Sequence, residues 1–566
     1  MISQLPPEIL YAIMEYVEGP DLLFWSLANK LFYQKFSLFR KLHNLKVTKF
    51  WPSLHLYCDP SSKYYFMYPD SDKDNRKLLI QLFDIFDHCP FIFHHVYIGS
   101  QMFIKVADRL PRNKYLHLVI ETNTDYEELG NVLEKDVVSH IFINEYFEDN
   151  ETMIILRHMQ KLKRLNTLEL DYYLPYGGGY DDETDIDSKI LKDLIPHSSI
   201  KQLSLVERCV SEYGASLLAS QLQFTLITKL DLTGNCIKDQ GAIAIAKELP
   251  RTFITDLKLG SNHITGQGAT AIAEVLHQSS VIELNLSSNE ISSAGLKSLA
   301  GSLKKSKLKR LFIYDNQFST DQLYILFESL PGSQIEYLSF SEFKDQKTID
   351  SFNANLWKSN LKTIHYQTAT NGLKELLESA CKSKLEVMSI QGSEIKYGDE
   401  EAAIIGNYIN KLPIHTLNLH NSAMSTNGLN FLFKNLTSKT LKTLRINQRE
   451  YDRFDSAGIH EVFKHLGHTH LTNLSIEGTA LDDEFLCGIA DGIIGSRLRQ
   501  LSLSRNAGFT VQGILNFTKL MLKSKLSILL FDYCIQQKAV DDETKKKLRE
   551  ILFGSNLHFR GLFINK

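Results

Sequence analysis

Ile227-Thr-Lys-Leu230-Asp-Leu232-Thr-Gly-Asn235-Cys-Ile237-Lys-Asp-Gln-Gly241-Ala-Ile-Ala-Ile245-Ala246-Lys-Glu-Leu249 is followed, 27 residues on, by Ile254-Thr-Asp-Leu257-Lys-Leu259-Gly-Ser-Asn262. Each stretch opens with apolar residues at offsets zero, three and five. The same triplet stands at Ile200-Leu203-Leu205, Val281-Leu284-Leu286, Leu308-Leu311-Ile313 and Ile335-Leu338-Phe340, keeping the interval of 27 throughout. Further copies open at Leu361, Leu385, Ile414, Leu441, Leu471, Leu498 and Leu526, at intervals of 24 to 30 residues. In a strand, alternate side chains face opposite ways, so the triplet marks a core face and the residues between it mark an outward one. The second half of each unit carries apolar residues three and four apart, such as Ile245-Ala246-Leu249 and Ile272-Ala273-Leu276, which is helical spacing.

A fixed period of this length with an L-x-x-L-x-L-x-x-N core marks a leucine-rich-repeat solenoid. The expected fold is α/β, with parallel strands on a concave face, helices on a convex one, and the curvature of a horseshoe. Asn235, Asn262, Asn289, Asn316 and Asn506 fall at offset eight, where an amide can bond backbone groups of the turn, and Cys534 holds that slot in its own copy. Ser211, Thr265, Ser292, Ser319 and Ser425 precede the helices as N-caps, and Gly214, Gly241, Gly268 and Gly295 again stand 27 apart. The stretch around residues 230–246 resembles the ribonuclease-inhibitor subclass of these repeats. Weaker triplets begin at Phe93, Tyr115, Val138 and Leu165, and Phe559-Leu562-Ile564 reads as a closing strand. The insertion Tyr176-Gly-Gly-Gly-Tyr180-Asp-Asp-Glu-Thr-Asp-Ile-Asp187 reads as an acidic, glycine-rich surface loop within 174–188, without the turn glycine and terminal Glu of a calcium loop.

Composition narrows the function. The chain has 566 residues, 63 basic and 66 acidic, for a formal charge of -3, which gives no broad basic face for nucleic acid. Seven scattered cysteines suit a reducing compartment, and neither a leader nor a stretch of about 18 apolar residues is seen, so a cytoplasmic or nuclear protein without membrane insertion is expected. His88-Cys89 with His94-His95, and His465, His468 and His470, lack ligand spacing, so no metal site is expected. With no phosphate loop, dinucleotide fingerprint or nucleophile elbow, neither catalytic residues nor cofactors are expected.

Residues 1–48 do not follow the repeat. Leu5-Pro6-Pro7-Glu8-Ile9-Leu10 begins an amphipathic helix with Ile13, Met14 and Val17, Gly19-Pro20 ends it, and Asp21 opens a second through Leu22, Leu23 and Leu27. The string LPPEILYAIMEYV-x3-DLLFWSLANKLFY resembles the F-box. Trp25 stands where the family has a small aliphatic residue, and Ala28 where it has Val or Cys. The resemblance implies a non-catalytic substrate receptor of a cullin-RING, SCF-type ubiquitin ligase. Leu5, Pro6, Ile9, Leu10, Ile13, Leu22, Leu23 and Leu27 would dock on a Skp-family adaptor, itself bound to cullin, while the repeats, expected over 91–566 behind a linker and cap at 49–90, would hold the target. The receptor is expected to be monomeric apart from its adaptor. The rival readings are a helical cap on a ribonuclease-inhibitor-like scaffold and a regulator resembling the Ran GTPase-activating repeat proteins. On the expected concave face Arg310, Phe312, Tyr314, Tyr337, His365 and Gln367 gather aromatics and Arg, residue types that carry interface energy. Lys229, Asp231, Asp256, Lys258 and Glu283 read as a solvated charge ladder.

Overall fold

In a computed structural model, residues 198–316 are described without a break, as is most of 322–560 outside short stretches between strands and helices; upstream, the described segments include 55–57, 65–67, 95–99, 115–119, 125–133 and 162–170. The F-box-like segment, with Leu5, Pro6, Ile9, Leu10, Ile13, Leu22, Leu23 and Leu27, lies outside the described residues, as do the 176–187 insertion and Ser319.

The chain divides into two compact units, Met1–Leu284 and Asn285–Lys566. Both are leucine-rich-repeat structures in which short parallel strands alternate with helices. In the first, His95–Gly99, Tyr115–Val119, His140–Ile143, Thr167–Leu170, Gln202–Ser204, Lys229–Asp231 and Asp256–Lys258 pair in series, each strand with the next. His55–Tyr57 and Tyr65–Met67 form an antiparallel pair ahead of them. In the second unit the parallel series runs from Arg310–Phe312 to His558–Arg560. The last strand departs from the sequence reading: Phe559 pairs with Leu529, an offset-three residue, so it does not open its copy.

The triplets are the core. Ile227, Leu230 and Leu232, and their equivalents Leu308, Leu311 and Ile313, are at most 1% exposed. Each such side chain contributes about 1.5–3 kcal/mol through burial. The helix Lys238–Glu248 adds Ile245 and Ala246 to this core, and Gly266–Val275 adds Ile272 and Ala273.

Three hydrogen-bond devices tie copy to copy. At offset eight Asn235 Nδ2 donates to Leu232 O at 2.9 Å and across to Leu205 O at 2.8 Å, while its Oδ1 accepts from Val210 N at 2.9 Å. Asn316 and Asn506 repeat the pattern, and Cys534 donates through Sγ to Leu503 O at 3.1 Å. The second device is a hydroxyl two residues before the triplet. Thr225, Thr252, Ser279, Ser306, Ser333 and Ser359 each donate to the end of the preceding helix and accept from the opening residue of the strand segment. Third, an aspartate in the first turn of one helix caps the next. Asp239 accepts from Thr265 N at 2.9 Å and Thr265 Oγ1 at 2.6 Å, Asp399 does the same for Ser425, and Asp483 for Thr510. Close packing accounts for several of the glycines: a Cβ on Gly241 would meet Ile237 and Ala215, one on Gly268 would lie 2.7 Å from Ile264 Cγ2 and 2.8 Å from Asp239 Oδ1, and one on Gly428 or Gly513 would collide with Asp399 or Asp483. Ser211, Thr265 and Ser425 accept as N-caps; Ser292 occupies its cap position without a side-chain bond.

Candidate protein-recognition face

Where the asparagine is present, the residue before it turns left-handed: Gly234, Ser261, Ser288, Asp315 and Arg505 all have φ between 53° and 73°. The chain leaves the sheet after three paired residues, as in Lys229–Asp231, and the amide takes up the carbonyls this exit would orphan. In the copies opening at Leu361, Leu385, Ile414 and Leu441, offset eight holds Ala369, Ser393, Ser422 and Arg449. No amide serves the turn there, and the backbone stays in the sheet, where neighbouring strands satisfy it. Thr363–Thr368, Val387–Gly392 and Thr443–Gln448 have six residues and Thr416–Ser422 has seven. Longer strands bring a further outward row, at offset six, onto the face.

The interior changes with them. Phe327, Phe340, Phe352 and Tyr366 are fully buried and pack ring to ring at 4.8 to 5.7 Å where the long strands begin.

On the outward face, Arg310 and Tyr337 are register partners, and the Arg310 guanidinium lies 4.6 Å from the Tyr337 ring centre and 5.6 Å from that of Phe312. The two rings are 4.6 Å apart. Tyr314, on the same copy, is 37% exposed. An Arg held against two rings is a pre-organised anchor, since less side-chain freedom remains to be lost on binding. His365 sits two strands from Phe312, with Ser339 between them in register. Its Nε2 hydrogen-bonds Gln391 Oε1 at 3.1 Å and its Nδ1 hydrogen-bonds Ser389 Oγ at 2.9 Å; the carbonyl oxygen can only accept, which places a proton on Nε2. Burial pushes its pKa below the usual 6.5, against the raising effect of Gln391. Gln367 pairs through its backbone with Gln391; its side chain lies outside the described residues. The structure thus brings Arg310, Phe312 and Tyr337 into one cluster, and sets His365 in a separate polar network.

That network extends beyond the residues marked by sequence. The His420 ring centre is 6.3 Å from that of His365, and burial first, then His365 and Arg445, lower the His420 pKa. Arg445 Nη1 donates to Asn418 Oδ1 at 3.2 Å. Glu477 Oε1 accepts from Ser475 Oγ at 2.7 Å and Ser502 Oγ at 2.8 Å. Arg445 and His420 stand at offsets four and six of their copies, the outward positions that His365 and Gln367 hold in theirs.

In the first unit two of the outward charges are spent on each other. Lys258 Nζ meets Asp231 Oδ2 at 2.9 Å, and Asp231 also accepts from Thr233. Burial would lower the Lys258 pKa, but the Asp231 hydrogen bond and charge outweigh it and raise the pKa. Among the described residues no group of three or more His, Cys, Asp and Glu could hold a metal, and no helix is long and apolar enough to cross a membrane.

Strand, turn and helix repeated in this way define a leucine-rich-repeat protein, a class that serves as a protein-binding scaffold and is typically non-catalytic. Three stretches, residues 225–246, 252–273 and 277–300, match the Leucine Rich repeat family. Among solved structures, the crystal structure of the Rad7 and Elc1 complex in yeast is similar over 67% of this chain and 92% of that chain, at 14% identity and a TM-score of 0.35. A search of curated proteins gives no match.

Proposed function

We propose that this protein is the non-catalytic substrate-recognition subunit of an SCF-type ubiquitin ligase in the cytoplasm or nucleus. Its opening segment docks on a Skp-family adaptor joined to cullin, and the outward face of the second unit holds the protein to be modified. The observation that carries the recognition half is the Arg310–Phe312–Tyr337 cluster, two aromatic rings and a guanidinium displayed on the outward face of the sheet. Such a cluster anchors a protein partner, because aromatics and Arg concentrate interface energy while the surrounding polar rim supplies fit. The adaptor half is supported by the F-box-like string, whose apolar set of Ile9, Leu10 and Ile13 is too small to form a core alone.

Co-expression of the full chain with a Skp-family adaptor tests this reading. A stable complex is expected, and Ile9→Asp with Leu10→Asp should abolish it while the repeats keep their circular dichroism. Unchanged co-purification of that variant, or no complex with the wild type, would leave a binding scaffold without a ligase role.

A further inference from the structure

The face carries a second cation whose surroundings differ from those of Arg310. Arg445 projects from Thr443–Gln448 and is exposed, and among the described residues its side chain has one hydrogen-bond partner, the neutral amide of Asn418. Among the described residues no carboxylate lies within ion-pair distance of Arg445. Glu477, on the neighbouring strand, engages Ser475 and Ser502 instead, on the side away from Asn418. Arg445, by bonding Asn418, leans the other way, toward the strand that carries His420. The His420 ring is half-buried on the same face and has no hydrogen-bond partner among the described residues.

A guanidinium that spends one donor on a neutral amide and keeps the rest, beside an imidazole with both nitrogens unspent among the described residues, is complementary to an anionic side chain. The guanidinium fork supplies parallel N–H donors and the imidazole supplies one more. Tyr337 and Arg445 stand on strands four steps apart, the register running Tyr337 to Thr363, Val387, Thr416 and Thr443 on the intervening and final strands. At ~4.8 Å per step this is roughly 19 Å, the span of about six residues of extended chain.

Resting on the reading of this face as the target-binding surface, we propose that it takes an extended acidic peptide at two points. One anionic side chain sits between Arg445 and His420, and one aromatic or aliphatic side chain about six residues away packs against Phe312 and Tyr337. The groups that face His420 are His365, Arg445 and Glu477; the carboxylate of Glu477 is turned to its serines, so the positive side of the face is left to the ligand.

The test uses the full chain and fluorescein-labelled Gly-Ser peptides of about twelve residues, each bearing one Trp and one Glu at varied separation, read by anisotropy. Binding should peak at a separation of about six. Glu→Gln in the peptide and Arg445→Gln in the protein should each weaken it about tenfold or more, and the two together no further, because they remove one interaction. Tyr337→Ala should erase the preference for Trp without erasing that for Glu. Phosphoserine in place of Glu distinguishes the two sources of the anion: tighter binding assigns the site to a phosphorylated target, weaker binding to a carboxylate. Equal binding of Glu and Gln peptides, wild-type affinity in Arg445→Gln, or no binding at millimolar peptide would overturn the proposal. Persistence of the adaptor complex in that case would leave the receptor reading standing, so the two failures are separable.

Discussion

The copies that carry an asparagine and those that lack it share a core but present different faces. In Lys229–Asp231 or Arg310–Phe312 the strand ends after three residues because the next turn is left-handed and Asn235 or Asn316 satisfies it. In Thr363–Thr368 or Thr416–Ser422 the amide is missing, and continued pairing does its work. The hydroxyl ladder persists through most of both regions, so what changes is the exit from the strand and not the stacking of helix on strand. In the copies opening at Leu361, Leu385, Ile414 and Leu441 the missing amide goes with a wider sheet, whereas the copy opening at Ile200, with Arg208 at offset eight, keeps the left-handed turn and a three-residue strand. The widened part displays His365, Gln391, His420 and Arg445, whereas the asparagine-bearing copies spend Lys258 and Asp231 on each other.

Removing the amide should therefore hurt only where the turn depends on it. Asn262 is fully buried and bonds Leu232 O, Gly260 O and Ile237 N, so Asn262→Ala should cost about 2–4 kcal/mol in urea unfolding by leaving these groups unpaired. Asn418→Ala, in a long strand, should cost under about 0.5 kcal/mol. Equal losses would mean that the amide's role is not what separates the regions.

The aspartate relay between helices offers a second break. Gly513→Ala would drive a Cβ into the Asp483 carboxylate and should destabilise by about 1–3 kcal/mol. Gly301→Ala, where a Cβ meets open space, should stabilise by about 0.5–1 kcal/mol. Melting temperatures moving in opposite directions would confirm the relay.

Cys534 sharpens the comparison further. It holds the asparagine slot with one thiol donor, and burial raises its pKa to about 12. Cys534→Asn should restore a second bond and stabilise by about 1 kcal/mol, whereas Cys534→Ala should destabilise.

Acid separates the regions more gently. His365 and His420 have folded pKa values lowered from 6.5, chiefly by burial, so the unfolded chain binds protons that the folded one refuses. The sign is fixed: stability falls as pH drops below 6.5 toward the folded values and is unaffected by these groups above it. His365→Gln with His420→Gln should flatten that part of a pH series of unfolding curves.

Much of this was legible in the sequence. The 27-residue clock fixed strands, helices and the asparagine ladder, because burial of Leu230 or Ile245 leaves a periodic trace whatever the partner. The Arg310–Phe312–Tyr337 grouping was also legible, since offsets two and four of adjacent copies must neighbour each other in a parallel sheet. The reason for the glycine register lies in contacts the sequence does not show, Ile237 and Ala215 against Gly241, and Ile264 and Asp239 against Gly268. The Arg445–His420 pair was hidden because side-chain direction decides it: only the lean of Glu477 toward Ser502 shows that a neighbouring acid leaves Arg445 alone. The phase of Phe559 was misjudged because an apolar triplet alone does not set register at the end of a sheet.

The most direct test compares capture of target proteins by three forms of the full chain under proteasome inhibition: wild type, Arg310→Ala with Tyr337→Ala, and Lys229→Ala with Lys258→Ala. A specific set of proteins should be lost from the second form and retained by the third. Equal retention, or equal loss, in the two variants would contradict a recognition face built where the asparagines stop.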